Sequence, residues 1–245
     1  MSATGETGLA TGPQVVRRSR SSGATARVVE ELRHAIVDMQ LKPGEVLDKA
    51  ALAQRFGVSR FPVSEALSRL KDEGLVDIRP QSSSTVSRIR LADARENMFL
   101  RRSLEGEAIA HHALHRDELM LAELERNMRY QQVALDADDR PGFHRLDLEF
   151  HDLLVSSIGY PRVRAIVEGA RLSLDRARRL LITPRRHVLT FKEHTAIVAA
   201  IVAGDAPTAR RAMADHLDSV MDELENFARE RPTLFEDTET SSEQL

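Results

Sequence analysis

The chain contains no cysteine. Disulfides, thiolate metal sites, iron–sulfur clusters and cysteine nucleophiles are therefore excluded together, and a reducing compartment is expected. Long apolar runs are also missing. The longest, AIVAAIVA from Ala196 to Ala203, is far short of the ~20 residues that cross a bilayer, and the N-terminus has no apolar signal core. A cytoplasmic protein with no membrane partner is expected. Neither a HExxH helix nor a nucleophile-elbow glycine pattern occurs, so no general base or nucleophile is placed for catalysis. What is present is an ordinary soluble mixture, 42% hydrophobic and 30% charged over 245 residues. This is enough for one large or two modest domains, and it excludes collagen-like and wholly disordered chains.

The net charge of −3 conceals an asymmetry: residues 1–90 carry an excess of four positive charges, and residues 91–245 an excess of seven negative ones. A basic front and an acidic back suggest a polyanion-binding module joined to a module of another kind. Residues 1–24 are rich in Ser, Thr and Gly, include Arg17, Arg18 and Arg20, and are expected to form a disordered basic arm. From Ala26 the spacing of Val28, Val29, Leu32, Ile36 and Val37 predicts a helix, stopped by Pro43-Gly44. A second helix is expected over about 49–56 with Gly57 as its cap, and a third after Ser59, with Val63, Ala66, Leu67 and Leu70 on one face. Two β-prone runs come next, Leu75–Ile78 and Thr85–Ile89. Helix, helix, turn, helix and two-stranded ribbon make a winged helix-turn-helix over residues 25–90. Residues 91–230 show no strand signal, and helices are expected at about 92–115, 117–137, 140–157, 161–182, 186–203 and 205–230, an all-α antiparallel bundle. Residues 231–245 read as an acidic tail.

A helix presenting Arg60, Ser64, Ser68 and Lys71 outward, with free N-terminal amides, can lie in the major groove of DNA. Arg60 is the candidate for base readout, because a guanidinium can bond guanine bidentately, and Ser59 and Lys49 are candidates for phosphates. The blander alternative is a solvated surface. In the bundle, Asp147 and His151 share an apolar stripe with Phe143, Phe150 and Leu154. His194 falls in the stripe of Phe191, Val198 and Ile201, and His216 in that of Met213, Leu217, Val220 and Leu224. Burying such groups unpaired is costly, and a divalent metal ion resolves the conflict. For one histidine alone a hydrogen-bonded core residue is the simpler account. His111 and His115, at a helix end, and His144 are left outside the set.

The run LKPGEVLDKAALAQRFGVSRFPVSEALSRLKDEGLVDIRPQ from Leu41 resembles the winged helix of the GntR family of bacterial transcription regulators, and the helical remainder of the chain resembles its FadR-type branch. The resemblance spans residues 26–230 and adds Arg69 as a DNA-facing position. The chain has Phe61, Ser64 and Ser83 where the family usually has Thr, Arg and Gly, and Phe61 is a candidate for contact with a thymine methyl. The segments DLEFH, KEHTAI and ADHL resemble the metal-binding form of the family's FCD effector domain, and on that resemblance Asp147, His151, His194 and His216 are the ligands. Tyr160 stands where the family usually has Asn.

Zn²⁺ is the expected ion, with Ni²⁺ or Mn²⁺ as alternatives. An octahedral ion on four protein ligands keeps two positions for water, which a small carboxylate effector can displace. Protonation of the imidazoles, from an unperturbed pKa of ~6.5, is expected to release the ion below about pH 5. Arg101, at i,i+4 from Glu105, is a candidate effector anchor, or else half of a surface salt bridge. The function expected is a homodimeric repressor on a double-stranded DNA operator. The alternative is a metal-dependent hydrolase with a nucleic-acid-binding appendage.

Overall fold

A computed structural model of the protein describes residues 16–79 and 83–237, with side chains from residue 23 onward. These residues form two units, one running to Ile36 and including Gly44–Ser87, the other comprising Val37–Pro43 and the chain from Arg88.

In the first unit, helix α1 (Val16–Val37) buries Val28, Val29, Leu32 and Ile36. It begins ten residues before the expected Ala26, so residues 16–24 of the expected disordered arm are helical. That segment has no proline, and extending an existing helix costs far less than nucleating one. Residues 1–15 of the arm lie outside the described residues. Helix α2 (Lys49–Phe56) is capped by the Asp48 carboxylate, which accepts from the Ala51 amide at 2.6 Å, and ends at Gly57 with φ +64°. A Cβ at that backbone angle would be strained, which accounts for glycine at the turn. Helix α3 (Arg60–Asp72) comes immediately after and buries Val63, Ala66, Leu67 and Leu70. Thr25 donates to Glu65 at 2.9 Å, and Arg33 forks onto both oxygens of Glu73 at 2.8 and 2.7 Å, tying α1 to the middle and to the C-terminal end of α3.

The expected ribbon is a three-stranded antiparallel sheet. Strands β1 (Val46–Leu47), β2 (Val76–Ile78) and β3 (Ser84–Val86) lie in the order β1-β3-β2, with Val46 opposite Thr85 and Val76 opposite Val86. The extra strand forms because Gly44, at φ +82°, turns the chain so that its amide donates to the Val86 carbonyl and Val86 donates back to Glu45. Strand β3 ends three residues before the expected Ile89. The middle of the wing turn, residues 80–82, lies outside the described residues.

The second unit is the helical bundle: α4 (Leu91–His115), α5 (Glu118–Asp136), α6 (Arg140–Ser156), α7 (Pro161–Arg179), α8 (Pro184–Ala203) and α9 (Ala206–Glu230). Asp117, Asp139, Thr183 and Asp205 cap the starts of α5, α6, α8 and α9 through their side chains. Tyr160 stands at the start of α7 without a side-chain cap. The core runs through Phe150, Leu154, Leu174, Ile197, Ile201, Met213, Leu217 and Leu224. Helix α4 packs on α7 and α9, α5 on α6 and α8, and α8 on α9. The fold is mainly α, a winged helix-turn-helix joined to an all-α bundle.

The start of the expected acidic tail is structured. A 3-10 turn at Pro232–Leu234 leads to Phe235, which is fully buried and bridges Ile89 in parallel. The Asp237 carboxylate then accepts the Leu91 and Ala92 amides, each at 2.9 Å, at the open start of α4. An apolar anchor and an N-terminal cap outweigh the polar composition of the segment. Residues 238–245 lie outside the described residues. Phe235→Ala should cost about 3–5 kcal/mol of stability in chemical denaturation, the range for a buried phenylalanine, and Asp237→Ala about 1 kcal/mol for the lost cap.

Candidate functional site

The stripes of α6, α8 and α9 converge. Asp147, His151, His194 and His216 are buried, and each offers a ligating atom within 4.8 Å of the others'. Nε2 of His151 and Nε2 of His194 lie 3.7 and 3.6 Å from Asp147 Oδ1, and Nε2 of His216 lies 3.2 Å from that of His151. The Phe150 ring stacks on His194 at 3.9 Å between centroids, closing one side.

The opposite nitrogen of every imidazole is taken. Nδ1 of His151 donates to Glu105 at 2.6 Å, Nδ1 of His194 to the Gln131 carbonyl oxygen at 3.0 Å, and Nδ1 of His216 to Glu193 at 2.7 Å. These acceptors place the proton on Nδ1 and leave the Nε2 lone pairs facing one another. Three unprotonated nitrogens and a carboxylate oxygen cannot satisfy each other. Asp147 Oδ1 and His194 Nε2 are in fact buried without a hydrogen-bond partner. A divalent cation is the species that this donor set fits.

A further layer holds the acceptors. Arg101 donates to Glu105 at 2.6 Å, Arg186 to Glu193 at 2.6 Å, Arg178 to Asp147 Oδ2 at 2.5 Å, and Gln131 to Asn127 at 2.7 Å, with Asn127 donating to the Leu146 carbonyl. Burial and the arginines set the protonation states. Burial above all, with Arg101 next, holds His151 well below its usual pKa, and burial pushes His194 and His216 down to about 3. Burial opposes ionisation of Asp147, but Arg178 and the imidazoles outweigh it and keep the carboxyl well below the usual range. Proton competition inside the folded cluster therefore begins below the expected pH 5, because burial disfavours imidazolium.

A cavity of about 30 Å³ opens beside Asp147, lined among others by Phe143, His144, Arg178, Arg186, His187 and Thr190. Arg101 is not on that wall. It is 1% exposed and engaged with Glu105, so it is no surface salt bridge, and its guanidinium stands behind His151. His144 pairs with Asp175 at 3.2 Å on the cavity wall, and His187 stacks on Phe143. His111 and His115 stack on each other at 4.0 Å, outside the cluster. Sequence reasoning did not find Gln131, Glu193, Arg178 and Arg186 as partners of the site. Glu193 had one signal, its position next to His194 beside an apolar stripe.

In the first unit, Lys49 opens α2, and both it and Ser59 are exposed. Ser59 stands at the N-cap of α3, but its hydroxyl makes no capping bond. Arg60 is exposed, with no hydrogen bond or ion pair to another described residue. Phe61 is 69% exposed, unusual for a phenylalanine and consistent with a contact surface, while Ser64 is half-buried. Arg69 pairs with Glu65 at 2.9 Å on the surface. Lys49 thus stands at the start of α2, Ser59, Arg60 and Phe61 at the start of α3, and Arg69 two turns further along α3.

Comparison with known proteins places these features. The family of bacterial regulatory proteins called gntR matches residues 24–86, and the FCD domain matches residues 96–219. An HTH-type transcriptional regulator in an unstable DNA locus of Streptomyces ambofaciens is 35% identical over 221 residues, covering 89% of this chain and 92% of that protein. The chain belongs to the gntR family of bacterial regulatory proteins. The HTH-type transcriptional repressor RspR of Escherichia coli K12 is 30% identical over 207 residues, covering 83% of this chain and 90% of that protein. The solved structure of E. coli McbR/YncC, at 24% identity and TM-score 0.62 over 83% of this chain and 98% of that one, shares the fold. This gntR-family member is a DNA-binding transcriptional regulator with an FCD effector domain, not an enzyme, which sets aside the hydrolase alternative. No described helix is long and apolar enough to cross a membrane.

The depressed imidazole pKa values make stability depend on pH in one direction. Well above pH 6.5 the imidazoles of His194 and His216 are neutral in both folded and unfolded chains. As pH falls, the unfolded chain protonates near 6.5 while folded His194 and His216 hold out to about 3. In the metal-free protein the contribution of these two imidazoles should therefore be constant well above pH 6.5 and fall by on the order of 1.4 kcal/mol per pH unit per imidazole as pH drops toward 3. Urea denaturation from pH 8 to 4, in wild type and His194→Ala, checks this: the variant should show the shallower slope.

Proposed function

We propose that this regulator represses transcription as a homodimer on a palindromic operator, and that a small carboxylate bound at a metal centre in the FCD domain changes its operator affinity. The observation that carries the reading is the cluster of four buried ligating atoms, two of them with no other partner. Asp147, His151, His194 and His216 would hold the ion, Zn²⁺ first and Ni²⁺ or Mn²⁺ as alternatives. The ion would supply a Lewis-acidic position for a carboxylate oxygen. Glu105, Gln131 and Glu193 orient the imidazoles, and Arg101, through Glu105, keeps His151 in register. Arg178 and Arg186, on the cavity wall, offer donors to the same ligand.

In the DNA-binding unit, Arg60 would read a base edge and Phe61 a thymine methyl. Ser64 would sit over the groove, and Lys49, Ser59 and Arg69 would hold phosphates. The sign of regulation draws support from the relatives described as repressors, RspR of E. coli and NanR of Salmonella schwarzengrund. A two-fold dimer presenting two copies of α3 implies a palindromic site.

The test is operator binding by fluorescence anisotropy with metal-loaded and chelated protein, with and without candidate carboxylates. The expected outcome is an effector-dependent shift in operator affinity that chelation abolishes. A shift that survives chelation would sink the metal-linked part of the reading. In the same assay, Arg60→Ala should weaken operator binding by ~1–3 kcal/mol, with a much smaller loss on random DNA. An equal loss on both would make Arg60 a phosphate contact.

A further inference from the structure

Helix α7 ends on two consecutive arginines that reach to different places. Arg178 donates to Asp147 Oδ2 at 2.5 Å, inside the ligand cluster. Arg179 lies 3.0 Å from the carboxylate of Asp38, the residue that follows α1. Its Nε donates to Asp175 at 2.9 Å, and the other oxygen of Asp175 meets His144 of the cavity wall at 3.2 Å. Neighbours on a helix diverge by about 100°, so Arg178 turns toward the cluster while Arg179 turns toward the surface.

The backbone on either side of the Arg179–Asp38 contact is not held tightly by its own bonds. Beyond Arg179 the helix unwinds through a turn in which the Ile182 amide reaches the Arg179 carbonyl only at 3.5 Å. On the other side Asp38 precedes Met39, a non-glycine residue at φ +59°. A left-handed angle at a residue with a Cβ persists only where its surroundings enforce it. The chain crosses from the first unit into the second at Val37, so Asp38 stands at the joint after α1, within the segment Val37–Pro43 that belongs to the second unit.

Resting on the metal-centre reading above, we infer that the last turn of α7 couples the ligand cluster to this joint, with Arg178 as its grip on the cluster and Arg179 as its grip on Asp38. The coupling is electrostatic. In the metal-free cluster Asp147 offers its charge to Arg178, and sharing that carboxylate with a dication weakens the Arg178 pair. The last turn, loosened at Arg178, takes Arg179 off Asp38, and the turn at Met39 relaxes. Because the two arginines are consecutive, neither shifts far without the other. The two states thus differ in interaction free energy, as any ligand-driven change requires. The linkage is reciprocal, so the grip on Asp38 lowers metal affinity by the same factor by which metal loosens the joint.

The experiment uses the full chain with Zn²⁺ as the probe. Amide hydrogen exchange is read by mass spectrometry in peptides covering residues 37–44, in metal-free and Zn²⁺-loaded protein. Zn²⁺ affinity is measured alongside by competition with a chromogenic chelator. In wild type, Zn²⁺ should speed exchange in this segment at least threefold and leave peptides from β3 unchanged. Arg179→Gln and Asp38→Asn should exchange fast with or without metal, within 1.5-fold, and should bind Zn²⁺ tighter than wild type by the factor that wild type shows in exchange. Arg179→Lys, which keeps the charge, should restore a response of at least twofold. Should Arg179→Gln fail to fold, Asp38→Asn, at an exposed position, carries the same test. Variants that change exchange equally in both metal states of the protein and leave Zn²⁺ affinity unaltered would show a packing role alone and overturn the coupling. Equal exchange in loaded and metal-free wild type, with Zn²⁺ binding still lost in His194→Ala, would also overturn it and leave the metal centre standing. Zn²⁺ binding that His194→Ala does not affect would overturn both.

Discussion

Polar groups placed in a core have to be answered from within it, and in the effector unit this requirement reaches every helix. Glu105 on α4 answers His151 on α6, Gln131 on α5 answers His194 on α8, Glu193 on α8 answers His216 on α9, and Arg178 on α7 answers Asp147 on α6. Each tie crosses between helices, so the same bonds that select the imidazole tautomers also fix how the six helices sit. Leaving any of these groups unanswered would cost more than the net worth of one ordinary hydrogen bond. The arrangement answers Nδ1 of each imidazole and Oδ2 of Asp147, and leaves Asp147 Oδ1 and His194 Nε2 unsatisfied at its centre. A cluster whose outer nitrogens are bonded and whose inner ligand atoms lack partners is what a cation requires. A core stabilised for its own sake would have closed those bonds.

The DNA-binding unit works by the opposite logic. Its interior is mainly apolar, with Leu32, Ile36, Val63, Leu67 and Leu70 at the centre and the small polar residues Thr25, Ser84 and Ser87 also buried, and ion pairs such as Arg33 with Glu73 sit at the surface. Its chemistry is turned outward, where Arg60 has no partner among the described residues and the Ser59 hydroxyl is free of the capping bond that its position invites. Groups left unbonded at a surface are hydrated at little cost and remain available to phosphates and base edges. One unit gathers four ligating atoms in its interior, and the other exposes the side chains that a polyanion would meet.

The helices of the bundle were legible because their apolar stripes recur at helical spacing, and the four cluster positions were legible because they interrupt those stripes. The residues behind them were not. Gln131, Glu193 and Arg178 are polar residues at positions that read as a solvated face, and only the packing of neighbouring helices turns that face inward. Arg101 and Glu105 had the spacing of an ordinary surface pair, and nothing in the spacing distinguishes an exposed pair from a buried one. The two-residue strand β1 is too short to carry a period, and Leu234-Phe235 is too short an apolar run to mark the tail as packed. The early start of α1 reflects propagation from a nucleus further along, which local composition does not report.

The central claim is that the four buried ligand atoms are the donor set of one metal ion. Its most direct test is anomalous diffraction from crystals of protein purified without chelators and reconstituted with Zn²⁺, with data on both sides of the zinc edge. The account predicts one anomalous peak per chain, about 2.0–2.2 Å from Asp147 Oδ1 and from Nε2 of His151, His194 and His216, with the Nδ1 bonds to Glu105, Gln131 and Glu193 intact. No peak at that position, or an ion bound through Nδ1 after those bonds have broken, would contradict it.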